Sequence, residues 1–171
     1  DALISELGVT LHPSLSSFNG PDEDECPDPE LVDDDFEALL FYLRHLSPPV
    51  SSLPEDVSTE GEVVFETAGC AQCHVADLDG VKLYSDLLLH DVAPNELQLV
   101  DQDEQALPTE FRTPPLWGLR NTAPYLHDGS ASTVEEAIVL GHFAEALAAK
   151  EAYQNLSEAD KDKLLTFLSE L

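Results

Sequence analysis

Apolar residues recur at helical spacing in four stretches, separated by long tracts with no period. Leu31, Phe36, Leu39, Leu40 and Leu43 share one face of a helix predicted over about 29–46. Pro29 suits its first turn, while Glu30, Asp33 and Asp34 complement the positive helix end. Ser47-Pro48-Pro49 stops it. A second helix is expected over about 59–67, with Val63, Val64 and Phe65 inward and Gly69 as terminator. A third begins near Ser132, where Ser132 and Glu135 have the spacing of a capping box. Its inward positions are Val134, Ala137 and Ile138; Gly141 interrupts it, and a further turn or two spans 143–150. The last helix follows Ser157 and turns Leu164, Leu165, Phe167, Leu168 and Leu171 to one side. Strand patterning is weak and no internal repeat is visible, so the expected fold class is mostly α.

The tracts between these helices shape the domain reading. Residues 1–28 carry the run Asp22, Glu23, Asp24, Glu25 among Pro21, Pro27 and Pro29, which no helix holds at low cost. Residues 1–57 therefore read as an acidic N-terminal extension with one helix and a Pro-rich linker, and residues 58–171 as the main domain. Residues 75–128 have little periodicity. A loop of that length is unusual unless it wraps something.

Charge narrows the partners. There are 35 acidic against 7 basic residues, a net charge of −28, which repels nucleic acid and anionic lipid. It could attract a basic protein, bind cations such as calcium, or simply solubilise the surface. Asp101, Asp103 and Glu104 are the candidate calcium ligands, but they lack the spacing of an EF-hand loop. No run of 18 apolar residues is present to span a membrane. The first residue is Asp1, which fits a mature exported form or a piece of a longer polypeptide.

The cysteines carry the chemistry. Cys26 stands alone, free or available for an intermolecular contact. Cys70-Ala71-Gln72-Cys73-His74 is the c-type haem attachment pattern. Two thiols three positions apart on one turn can each add to a haem vinyl group, and the next imidazole then points at the iron. A thioredoxin-like pair expects a βαβ context, and a zinc site expects four ligands; neither is visible. The expected cofactor is one covalent haem c with His74 as an axial metal ligand. The long loop would then wrap the haem.

The chain has no methionine, so a second axial ligand would be an imidazole. His12 and His45 read as surface residues, His45 being favoured at a helix C-terminus. His90 follows Leu87-Leu88-Leu89 and could enter the pocket. His127 lies in the turn Leu126-His127-Asp128-Gly129. His142 follows Gly141 at a helix end, where a ring is delivered with little strain, and is the preferred candidate over His90 or an open position. Arg112 and Arg120 could pair with haem propionates or with surface acids. Trp117 fits the core better than an electron relay.

Several motifs in order carry a family resemblance: Gly69-Cys70…His74, Tyr84-Ser85-Asp86-Leu87-Leu88-Leu89-His90-Asp91, Phe111-Arg112-Thr113-Pro114-Pro115-Leu116-Trp117-Gly118-Leu119, Ala123-Pro124-Tyr125-Leu126-His127-Asp128-Gly129 and Thr133-Val134-Glu135-Glu136-Ala137-Ile138. Roughly residues 29–171 resemble the C-terminal haem domain of the bacterial di-haem cytochrome c peroxidase and MauG superfamily, in its di-haem oxidoreductase, thiol oxidoreductase-like branch. The resemblance implies a cytochrome c-like haem domain with long haem-wrapping loops. It also implies a second axial ligand from the Gly141-His142 neighbourhood, and His127 beside the haem. Relatives have two haem domains, whereas this chain has one CxxCH.

The expected function is electron transfer by one bis-His, low-spin haem. The alternatives are the electron-donating half of a peroxidase-like oxidoreductase and a cytochrome subunit of a larger redox assembly. The partner would be a redox protein or a second haem domain or subunit. Haem is joined to CxxCH outside the cytoplasm, so a periplasmic or extracellular location is expected.

Overall fold

The computed structural model describes residues 9–11, 29–47, 55–94 and 107–171. They fall into two compact units, Asp1–Ser47 and Pro48–Leu171. The calls on His12, Cys26, Asp101, Asp103 and Glu104 lie outside the described residues.

In the first unit, helix α1 spans Asp33–Arg44, with three aspartates in its first turn and Arg44 in its last, both suited to the helix dipole. A bridge pairs Leu11 with Leu31, and Glu30 accepts from the Thr10 N–H at 3.0 Å. The expected buried face is not realised. No residue of α1 is buried, and Leu43 is 52% exposed. An apolar stripe becomes core only against a partner surface, and among the described residues of this unit none covers it.

The second unit is built on helices α2 (Glu55–Thr67) and α5 (Glu158–Glu170), the most extensively packed pair. α2 starts about one turn earlier than expected. Val64 and Phe65 are buried as expected, but Val63 points outward, since three consecutive helical positions cannot share one face. α5 is capped by Ser157, whose hydroxyl accepts from the Asp160 N–H. It buries Leu164, Phe167 and Leu168. Phe65, Tyr84 and Phe167 pack edge-to-face, with centroids 5.6–5.9 Å apart. Burying each phenylalanine stabilises the unit by about 1.5–3 kcal/mol. Tyr153, Leu116 and Val64 complete this cluster.

Helix α3 spans Val134–Gly141. Its cap lies one residue later than the sequence suggests: Thr133 accepts from the Glu136 N–H at 3.1 Å, and Glu136 reaches back to the Ser132 N–H at 2.7 Å. The chain then makes a 3-10 turn, Ala144–Ala146, and helix α4, Leu147–Gln154. Among its described residues the long loop holds two short strands, β1 (Leu89–Asp91) and β2 (Glu110–Arg112), paired antiparallel with His90 opposite Phe111. Elsewhere it is tied by single backbone bonds, including Thr113 N–H to Leu88 and Leu116 N–H to Leu83. Among the described residues no helix is long and apolar enough to cross a membrane.

Candidate haem-binding site

Gly69 turns the chain out of α2 with φ +87°, a left-handed conformation that favours glycine. A 3-10 turn, Cys70–Gln72, follows, and the His74 N–H bonds the Cys70 carbonyl at 3.0 Å. Cys70, Cys73 and His74 thus come from one tight turn at the end of a helix fixed in the core. Phe65 of that core lies 6.4 Å from the His74 ring, centroid to centroid.

Both thiols are held protonated. Burial pushes Cys70 up to about 11. Burial also raises Cys73, helped by the charges of Asp86 and Glu145. A reactive thiolate pair would want the opposite shift, and two cysteines fall short of the four ligands of a structural zinc site.

Two imidazoles face each other. The His74 and His142 centroids are 6.5 Å apart, with ring planes at 42°. Each ring is oriented by a backbone carbonyl at Nδ1: Tyr84 for His74 at 3.0 Å, Ala137 for His142 at 3.2 Å. With Nδ1–H donating, each Nε2 keeps its lone pair for a metal. A metal–nitrogen bond of about 2 Å on each side, plus about 1 Å from nitrogen to ring centre, separates two axial imidazoles by about 6 Å. Burial holds His74 down to about 4, and burial lowers His142 as well. Both rings are therefore neutral near pH 7, the form that ligates. The residues present fit a c-type haem that Cys70, Cys73, His74 and His142 could hold.

His90 is otherwise engaged. Its Nε2 lies 2.8 Å from Asp86 Oδ2 and its Nδ1 3.0 Å from Glu145 Oε2. Hydrogen bonds to Glu145 and then Asp86 raise its pKa, and the same contacts help lower those of both carboxylates. Two carboxylates on two ring nitrogens leave no lone pair for iron. Cys73, Asp86 and His90 also lie close enough together to resemble a cation site, but His90 has no free nitrogen to contribute.

The remaining candidates are dispersed. His127 is exposed, and its ring lies 4.6 Å from that of Phe111. Arg112 is exposed, with no carboxylate partner among the described residues. Arg120 donates to Glu170 at 2.8 Å, the ordinary ion pair left open by the sequence. Trp117 is half-buried. His45 caps α1 at the surface, Nδ1 2.7 Å from the Phe41 carbonyl. Sequence reasoning gave no role to Asp86, Glu145 or the Tyr84 carbonyl. Only the Asp86–His90 spacing lies within one stretch; Glu145 is 55 positions from His90.

A helical scaffold, a CxxCH turn and a facing imidazole define a cytochrome c-like haem domain. The family described as "Di-haem oxidoreductase, putative peroxidase" matches residues 8–171, and the chain belongs to it. Its general function is haem-based redox chemistry. The chain is similar to cytochrome c551 peroxidase of Nitrosomonas europaea, at 26% identity over 116 residues, 66% of this chain and 33% of the relative. It thus spans about a third of the length of that curated protein. Among solved structures it is similar to hydrazine synthase of Kuenenia stuttgartiensis, with TM-score 0.60 and 24% identity over 81% of this chain and 55% of that one. That likeness shows the fold. A MauG-like protein associated with microbial copper homeostasis aligns at TM-score 0.46 and 23% identity, over 70% of this chain and 47% of that one.

Proposed function

We propose that this chain carries one covalent haem c, joined through Cys70 and Cys73 and ligated axially by His74 and His142, and that it transfers electrons. The observation that carries this reading is the 6.5 Å separation of two imidazoles, each tied at Nδ1 to a backbone carbonyl. A haem there supplies a one-electron couple, and two imidazole ligands set a lower potential than a His/Met pair. With His74 and His142 both bound to the iron, no ligand position would remain for peroxide. The protein's part is to keep the two rings in place and the site dry. Covalent haem attachment belongs outside the cytoplasm, so we infer a periplasmic location.

A second reading follows from the family and from the span of about a third of the curated relative. In it this chain is the electron-donating half of a di-haem oxidoreductase, and its partner is a second haem domain or subunit.

Mass and visible spectra of the purified holoprotein test the first reading. One haem's mass above the polypeptide and a low-spin ferric spectrum are expected. His142→Ala should turn the ferric haem high-spin, and added imidazole should restore the low-spin form. A low-spin spectrum that survives His142→Ala overturns the ligand assignment. Colourless protein of bare polypeptide mass overturns the haem itself.

A further inference from the structure

The segment that follows His142 is held by three ties to β1 and the residue just after it. The Phe143 N–H donates to the Val92 carbonyl at 3.0 Å. The Asp91 N–H donates to Glu145 Oε1 at 3.1 Å. His90 Nδ1 meets Glu145 Oε2 at 3.0 Å. On its other side His90 Nε2 meets Asp86 Oδ2 at 2.8 Å. Asp86 is fixed in turn: its N–H donates to the Cys73 carbonyl at 2.9 Å, and its Oδ1 accepts from the Leu88 N–H at 2.9 Å. One continuous chain of hydrogen bonds therefore runs from the residue before His74 to the turn three residues after His142. Carboxylates on both ring nitrogens make both of them donors, which is the imidazolium form. Charge-assisted bonds of this kind are short and about twice as strong as neutral ones.

Resting on the reading of His74 and His142 as a ligand pair, we propose that His90 is a positioning residue. Bridging Asp86 and Glu145, it braces the His142 segment against the attachment turn and so keeps the His142 ring on the iron. It acts through the segment that delivers His142.

The test is the rate at which cyanide binds the ferric holoprotein, because cyanide enters only when an axial imidazole leaves. In His90→Ala the rate rises about tenfold, the loss expected for a charge-assisted bridge, while the resting spectrum stays low-spin. Glu145→Gln, at an exposed side chain, shifts the rate the same way by a few-fold. It decides the matter should His90→Ala yield no haem-loaded protein. In a His142→Ala background, adding His90→Ala leaves the cyanide rate unchanged within about twofold, since no ligand remains to be braced. Cyanide rates within about twofold of the parent in both His90→Ala and Glu145→Gln overturn the brace. The same increase with and without His142 also overturns it. Failure of the ligand reading is separate: there His142→Ala itself stays low-spin.

Discussion

Ser85 is fully buried, and its hydroxyl serves two backbone groups at once. It donates to the Thr113 carbonyl at 2.7 Å and accepts from the Leu87 N–H at 2.9 Å. Tyr84 and Leu87 on either side have φ of +52° and +59°, a costly region for residues with a Cβ. That bend presents the Tyr84 carbonyl to His74 and the Asp86 carboxylate to His90. Ser85→Ala removes both bonds and strands polar groups in a closed site. The expected loss is about 2 kcal/mol of unfolding free energy. For a chain of this size that lowers Tm by about 4–8 °C. Calorimetry of the holoprotein measures it; a change under about 0.5 kcal/mol would mean the hydroxyl does no bridging.

At the scale of elements, the close approach of α2 and α5 rests on Gly61. A Cβ there would overlap Phe167 Cβ and come within 2.7 Å of the Lys163 carbonyl, a backbone atom that cannot swing aside. Gly61→Ala gains helix propensity, yet overpacking of this kind costs about 1–3 kcal/mol. Chemical denaturation should show a net loss, with the visible spectrum of the folded holoprotein unchanged because Gly61 supplies no group to the proposed site. Stability equal to or above the parent would show that the helices slide apart freely. The ends of these helices were legible because caps are local: Gly69 and Ser157 act on their own turns. The CxxCH turn was legible for the same reason, as was the end of α3 at Gly141, which places His142 just past it. The α1 stripe misled, because periodicity names a face but not what covers it. The β1–β2 pairing was not legible, since three-residue strands carry too little alternation to read. Nor was the role of Asp86 and Glu145, which depends on the path of the long loop and on left-handed turns made without glycine.

Across the whole molecule, 35 acids face 7 bases, and several of those bases are already spent on neighbours. Arg120 pairs with Glu170, Lys161 with Glu158, and Lys163 with Glu60 and Asp160. The field at a distance is therefore strongly negative, and it acts before any contact forms. An electron-transfer role makes that field a kinetic device. At about 10 mM salt its reach is about 30 Å, and at about 150 mM only about 8 Å. Electron exchange with a basic redox protein should accordingly slow by about tenfold or more between those two conditions. Exchange with an acidic protein of similar potential should begin slow and quicken as salt is added. Stopped-flow oxidation of the reduced holoprotein measures both. A rate with the basic partner that ignores salt would move the recognition from charge to apolar area. The exposed row Leu87, Leu88 and Leu89, which lies in the chain between Asp86 and His90, would then be the first surface to alter.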